Sequence, residues 1–473
     1  MADLTITRLT AREIARRVGA RELSAVAVLE AHLAVIARDN PVLNAICTLA
    51  ADTALAAAEA LDRDLARGAR PGPLAGVPVG IKDVVPTAGI RTTYGSPLYA
   101  DHVPSEDALV VQRLKHAGAI IVGKTNTPEF AAGANTFNAI FGATRNPWNP
   151  ALSASGSTGG GAAALASGMI ALSDGTDLGG SVRTPAAFCG VVGHRPTPGL
   201  VPRHPTPQPW DTLNVAGAMA RNVGDTALML QAIAGPSTLS PLAESMKGRD
   251  FVAAASAGLP AALRVGYCPD TPRIGVEAEI ERACRAAAFS LRQVGASVEE
   301  VDLDLSFARK AFLHLRGQWM VNRHFDKLDR LDRLGPNLQA NIRLGLAQTP
   351  REVAEGEAGR ARVFTLFREY FERHDVLLTP TTAVAPFPVE QNYPETIMGQ
   401  PMASYIEWVA PTFVITLAGG PAMSVPCGLS AARLPIGLQV IGRRGEDETV
   451  FAVAGALEAT HAIGWPPALG GAL

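Results

Sequence analysis

The sequence predicts an α/β fold, a single large α/β/α unit whose twisted mixed β-sheet is covered by helices on both sides. Three observations carry that prediction. Short strand-like runs bounded by Gly and Pro alternate with helical patterns through most of the chain. Apolar residues make up 47% and charged residues 18%, a balance that fills a sizeable core. No internal repeat or low-complexity tract divides the 473 residues, so 1–473 reads as one domain, with its core over 70–230 and a helical excursion over 306–374.

The elements follow in chain order. Residues 7–68 read as helices. "TAREIARRVGARELSAVAVLEAHLAVIARDN" has apolar residues at helical spacing, with Thr10 and Ser24 as N-caps and "DNP" as its stop. "AADTALAAAEALDRDLARG" is a further long helix closed by Gly68. "GPLAGVPVGIKDVV" holds a short strand, and "ALVVQRLKHAGAIIVGKTN" reads as helix, glycine stop and strand. "DTALMLQAIAG" is helical, and the Ser-, Ala-, Gly- and Pro-rich stretch 235–262 breaks the pattern. "LRVGYCPD" restarts a strand, and "EAEIERACRAAAFSLRQVGASVEEVDL" gives helix, turn and strand. After the helical residues 306–374, "DVLLTPTT", "GGPAMSVPCG" and "LPIGLQVIG" are strand-like and "DETVFAVAGALEATH" closes the chain as a helix.

The net charge of −2 offers no basic surface for nucleic acid and none for an anionic membrane. Five scattered cysteines, Cys47, Cys189, Cys268, Cys284 and Cys427, lack metal-like or CxxC spacing and read as reduced, mostly buried thiols. "MADLTITRLTAREIARR" places charges where a leader needs an apolar run, and no segment reaches a membrane span, so a cytoplasmic protein is expected.

Two glycine-flanked serines hold the chemistry: Ser157 in "SGSTGGGAAALASG" and Ser181 in "GTDLGGSVRTPAAFCG". Neither lies in G-x-S-x-G, and no Lys follows the glycines as a phosphate loop requires. Gly179 and Gly180 allow a turn whose backbone N–H groups converge on one small space, ahead of a helix start suited by Pro185. A serine there attacks a carbonyl while those N–H groups hold the oxyanion, which predicts acyl transfer. No histidine falls in either motif, and His194 in "GHRP" reads as a loop histidine. Only six of the 42 basic residues are lysines, and Lys82 follows the apolar run of "GVPVGIKDVV". Desolvation lowers the pKa of a buried lysine and makes its neutral amine a base, with Ser157 relaying the proton from Ser181. Asp83 is expected to face away from Lys82, because neighbours on a strand point to opposite sides. Cys189 reads as core.

These residues, in this order and spacing, resemble the amidase signature family of Ser–Ser–Lys amide hydrolases. The match rests on "GVPVGIKD", "SASGSTGGGAAALASG" and "GTDLGGSVRTPAAFCGVVGHRPT", with "GKTNTPEF" and "GATRNPWNP" beside them. The resemblance implies Lys82 as base, Ser157 as bridging serine after a cis Gly156–Ser157 peptide, and Ser181 as nucleophile. It implies oxyanion donors at Leu178, Gly179, Gly180 and Ser181, with Asp177 and Arg183 as a bracing pair. The loop departs from the family pattern at Ser155, Thr158 and Gly161. The family's glutamine-hydrolysing tRNA amidotransferase member grips its amino acid with an Arg and an Asp that fall near Asn341 and Val409 here. That difference argues against a glutaminase or tRNA role.

The expected activity is therefore hydrolysis of a small linear amide, aryl or alkyl, through an acyl-enzyme. A carbamate (urethane), ester or hydrazide is the alternative substrate, and a non-catalytic binding protein the alternative class. No metal or organic cofactor is expected. The expected partners are a small-molecule amide or carbamate and, since related enzymes are often dimers, a second copy; neither nucleic acid nor a membrane is expected. Phe137, Ile140 and Trp210 are candidates to line an acyl pocket, against the plainer reading of packing residues, and Trp319 and Trp408 stand in the same position.

Overall fold

A computed structural model describes residues 3–468, so Met1 and Ala2 of the N-terminal reading lie outside the described residues. Eleven strands make one sheet: β1 Ile46–Leu49, β2 Pro78–Lys82, β3 Ile120–Thr125, β4 Leu172–Asp177, β5 Val192–Arg195, β6 Val215–Ala220, β7 Arg264–Tyr267, β8 Ser297–Glu300, β9 Val376–Pro380, β10 Ala422–Leu429 and β11 Pro435–Gly442. Their order across the sheet is β1-β3-β2-β4-β6-β5-β10-β11-β9-β7-β8. β2 runs parallel to both β3 and β4, β7 runs parallel to β8 and β9, and the remaining pairs are antiparallel, so the sheet is mixed. β2, β4, β5, β6, β9 and β11 are buried along all or nearly all of their length, so the polar side chains that some of them carry, Lys82, Asp174, Asp177 and Arg195 among them, are held inside the fold.

The parallel register of β2 and β4, Val79 against Leu172 and Gly80 against Ser173, sets the carboxyl ends of both strands at one edge of the sheet. Lys82 ends β2 and Asp177 ends β4, so side chains far apart in sequence meet there. Ligands of open α/β sheets gather at such strand ends.

The predicted N-caps are in place. Thr10 accepts from the Glu13 N–H and Ser24 from the Ala27 N–H. Two predicted features change. The helix Ala25–Leu43 runs through "DNP" instead of stopping there, with Pro41 in its last turns and Asn44 as a left-handed cap. The Asn40 carboxamide accepts the N–H groups of Ala45 and Ile46 and donates to the Ile46 carbonyl, fixing the exit into β1. β1 itself, "ICTL", falls inside the stretch read as helical; its four residues are too few to show a period.

Residues 306–374 carry the helices Ser306–Arg323, Pro336–Ala347 and Pro350–Arg373, joined by 3₁₀ turns over Phe325–Arg333. An apolar core under this region contains Phe312, Phe413 and Trp408; Trp408 packs against Phe188 and Phe387 with ring centroids 5.5 and 5.4 Å away. Among the described residues no helix is long and apolar enough to cross a membrane.

Candidate active site

Lys82 is fully buried at the end of β2. Its Nζ lies 2.7 Å from Ser157 Oγ, 2.8 Å from Thr158 Oγ1 and 3.0 Å from Thr176 Oγ1. Three hydroxyls thus surround the amine, and among the described residues no carboxylate contacts it directly. Burial pushes the Lys82 pKa down to about 7, against the opposing pull of Asp174 and Asp177. A second buried lysine, Lys124, is also lowered by burial, to about 8. Its amine is spent on the Val85 carbonyl and Thr87 Oγ1, and it does not border the serines. Asp83 points away as expected: its carboxylate takes the Thr93 hydroxyl at 2.5 Å.

Ser157 precedes the buried helix Gly159–Ala166, and the Gly156–Ser157 peptide is cis. The three departures in this loop have local explanations. Thr158 keeps a hydroxyl on Lys82. A Cβ at Gly161 would stand 2.4 Å from Ser173 Oγ, so glycine here lets the helix pack closely on β4 with the Ser173 side chain in its present rotamer. Ser155 takes φ +60° and sends its Oγ to the Ala134 carbonyl at 3.4 Å.

Ser181 lies in the turn between β4 and the helix Arg183–Cys189. Asp177 organises that turn. It accepts from the Gly180 and Val182 N–H groups at 3.1 and 3.2 Å and forms a two-pronged ion pair with Arg183 at 3.0 and 2.8 Å. Burial alone would raise the Asp177 pKa, but the Arg183 and Arg195 guanidiniums beside it hold it well below the usual carboxylate range. Arg183 continues to Gln439 Oε1 and the Thr412 carbonyl, tying the turn to β11 and the Ala410–Thr416 helix. The Gly180 N–H is therefore turned inward to Asp177, which removes it from the expected oxyanion donors. Among the described residues the N–H groups of Gly179 and Ser181 find no acceptor.

Gly180 has φ +114°, and a Cβ there would meet Thr412 Oγ1 at 2.0 Å. Gly180→Ala is expected to lower unfolding stability by about 3 kcal/mol, from left-handed strain plus overpacking. Urea denaturation checks this; a loss under about 1 kcal/mol would show that the turn is free to rearrange.

Ser157 and Ser181 border one cavity, which is also lined by Asp174, Thr176, Leu178, Gly179, Arg316 and Tyr405. Trp319 lines it too, whereas Trp408 is core. The expected acyl-pocket residues are elsewhere. Phe137 and Ile140 belong to a small hairpin that Asn138 anchors to Asn126 and the Thr127 carbonyl, outside the cavity wall. Trp210 is 72% exposed and borders an adjoining, wider cavity that shares Tyr94, Phe130, Trp319 and Arg323 with the first. Position in a flanking loop does not decide which way a side chain turns. His194 is structural, its Nε2 3.1 Å from Asp447, and Cys189 is buried with its thiol pKa pushed up by burial.

Sequence reasoning missed Thr158, Thr176, Asp174, Arg316 and Tyr405. Asp174 Oδ1 receives the Lys82 N–H at 2.6 Å, and burial raises the Asp174 pKa to about 6. The i, i+2 spacing of Asp174 and Thr176 on a strand beside Lys82 is the signal that would have found both.

The amidase family model matches residues 27–451. The glutamyl-tRNA(Gln) amidotransferase subunit of Roseiflexus sp. (strain RS-1) is 38% identical over 462 residues, covering 92% of this chain and 93% of the relative. A solved bacterial aryl acylamidase of the amidase signature enzymes superposes with TM-score 0.89 at 28% identity, covering 95% of this chain and 96% of its own. The corresponding glutamyl-tRNA(Gln) amidotransferase subunit from Thermotoga maritima gives TM-score 0.77 at 29% identity, over 98% and 97%.

These relatives overturn two expectations. Hydrolysis of a small linear amide, with a carbamate, ester or hydrazide as alternative, gives way because the full-length relatives are named for an amidotransferase component. A small molecule or a second copy as the sole partner, without nucleic acid, gives way for the same reason. Net charge misled here because it describes the whole chain, whereas one member of an assembly can leave contact with nucleic acid to its companions. The substitutions at Asn341 and Val409 were an equally weak guide, since an approximate alignment does not say which side chain reaches the cavity.

Proposed function

The chain belongs to the amidase family, and from that premise we propose that this amide-acting enzyme is the amide-cleaving component of a glutamyl-tRNA(Gln) amidotransferase. In this reading it takes the amide nitrogen of glutamine as ammonia, and companion proteins place that nitrogen on the tRNA-bound glutamyl group. The observation that carries the chemistry is the fully buried Lys82 amine, 2.7 Å from Ser157 Oγ, in a structure where Ser157 and Ser181 border one cavity.

Neutral Lys82 accepts a proton from Ser157 as Ser157 takes one from Ser181. Ser181 Oγ bonds to the amide carbon, and the N–H groups of Leu178, Gly179 and Ser181 hold the oxyanion. The C–N bond breaks as the Lys82 ammonium, through Ser157, returns the proton to the leaving nitrogen. Water then cleaves the ester by the same relay and leaves glutamate. Thr158 and Thr176 hold the Lys82 amine on Ser157 through both proton transfers. Asp177 and Arg183 keep the oxyanion turn rigid without entering the reaction.

Reconstitution with the companion proteins of a glutamyl-tRNA(Gln) amidotransferase tests the reading. Glutamine is expected to support conversion of glutamyl-tRNA(Gln) to glutaminyl-tRNA(Gln), and ammonia release by the chain alone is expected to be slower. No transfer in the assembly, although free ammonia supports it, would reject the amidotransferase reading.

A further inference from the structure

We propose that Asp174 is the positioning residue of the reaction base: its carboxylate seats the Lys82 backbone at the end of β2 and balances the charge of the ammonium that Lys82 becomes. This rests on the assignment of the proton relay to Ser181, Ser157 and Lys82, and adds a residue that acts through that relay.

The place of Asp174 follows from where two strands part. β2 pairs with β4 only at Val79 with Leu172 and at Gly80 with Ser173, whereas its pairing with β3 continues to Lys82 and Thr125. A buried backbone N–H past that point needs another acceptor. The Lys82 N–H finds it in Asp174 Oδ1 at 2.6 Å, so a side chain replaces a rung of the ladder. Asp174 and Thr176 share one face of β4 by their i, i+2 spacing, and Thr176 Oγ1 stands 3.0 Å from the Lys82 amine. One strand face therefore holds the base at both ends, its backbone through Asp174 and its amine through Thr176.

The charge has a use as well. Asp174 is 1% exposed and lines the cavity that Ser157 and Ser181 border. Its Oδ2 is buried and has no hydrogen-bond partner among the described residues. An ionised carboxylate is costly in such a place unless a positive charge stands near it. The reaction forms one. As the Ser181 proton passes through Ser157 to Lys82 Nζ, the amine becomes an ammonium, and the matching negative charge appears on the oxyanion. The three hydroxyls on the amine carry no charge to meet it. Asp177 is engaged by Arg183 and Arg195, and Asp83 faces Thr93. Burial lowers the Lys82 pKa to about 7, and Asp174 opposes that shift more strongly than Asp177 does.

The groups around Asp174 keep it ionised where the base is neutral. Burial raises its pKa to about 6, while Lys124 from β3 and Lys82 from β2 pull it down. β6 sets Ala218 beside it, and the helix Gly159–Ala166 brings no titratable side chain. Across the cavity stand Arg203, His204, Arg316 and Arg323, with the phenols of Tyr94 and Tyr405.

The rate at which a fluorophosphonate labels Ser181 reads the relay without any amide substrate. In the wild-type chain the logarithm of that rate is expected to fall with a slope of about one just below pH 7 and about two below pH 6, because the competent form must be free of both protons. Asp174→Asn keeps an acceptor for the Lys82 N–H and removes the charge. It should label at least about tenfold more slowly at pH 8, with its midpoint moved down by about one pH unit and a slope of about one throughout. Asp174→Glu restores the charge and should regain part of the rate and the steeper slope. Circular dichroism at each pH checks that the chains stay folded, and the wild-type profile decides alone if Asp174→Asn does not fold. A wild-type slope that stays at one down to pH 5 overturns the proposal. So does an Asp174→Asn chain that is slowed with its midpoint unchanged, since a purely structural support would act that way; either result leaves the amidotransferase reading standing. The predicted pH response of labelling, without glutamine-dependent transfer in the reconstituted assembly, rejects that reading and leaves the role of Asp174 standing.

Discussion

Replacing Ser181 by alanine is expected to lower the rate of amide cleavage by at least about four orders of magnitude, with little change in stability or in binding of the amide. Loss of the attacking oxygen removes the only bond-forming atom in the proposed reaction, while the oxyanion turn survives. Asp177 holds that turn through the Gly180 and Val182 N–H groups and Arg183, none of which needs the Ser181 hydroxyl. The effect should therefore fall on kcat. A fluorophosphonate probe gives a second readout, since it forms a covalent adduct with an activated serine. Labelling is expected at Ser181 in the wild-type chain and none in Ser181→Ala. Labelling that survives the substitution, or cleavage reduced less than about tenfold, would assign the nucleophile to another group.

The meeting of Lys82 with Ser157, and of Ser157 and Ser181 at one cavity, was legible because these residues stand in short motifs at strand ends and turns. "GVPVGIKD" gives β2 and Lys82, and "GTDLGGSVRTPAAFCG" gives the turn and the helix start, whereas β4, "LSDGTD", carries two aspartates and no apolar run and was not legible as a strand. The inward turn of the Gly180 N–H was not legible, because it depends on where the Asp177 carboxylate settles. Arg316 was hidden for a stronger reason. It is an arginine on an ordinary amphipathic helix, and only the packing of that helix over the sheet brings it to a cavity built 135 residues earlier, at Ser181. Phe137, Ile140 and Trp210 erred in the opposite sense: loops that flank the serines in sequence turn these side chains elsewhere.

Removing the amine of Lys82 is expected to be about as damaging as removing Ser181, and it separates from Ser181→Ala in its dependence on pH. Because burial brings the Lys82 pKa to about 7, the neutral base is scarce at pH 6, half formed near 7 and dominant by pH 8. Wild-type cleavage should therefore rise about tenfold from pH 6 to 8 and level off, wherever the chemical step limits the rate. Lys82→Met should abolish that rise along with most of the activity. Stability gives an independent sign. The folded chain binds the Lys82 proton less tightly than the unfolded chain, whose lysine titrates near 10.5, so unfolding takes up protons between pH 7 and 10.5. The burial cost, on the order of 4–5 kcal/mol, is complete below pH 7 and fades as pH rises through that window. The stability of the wild-type chain relative to Lys82→Met should accordingly increase from pH 7 to 10, against the general trend of alkaline denaturation common to both. A flat rate profile from pH 6 to 9, together with a constant stability difference, would show that Lys82 keeps its proton in the folded chain and that another group takes the proton of Ser157.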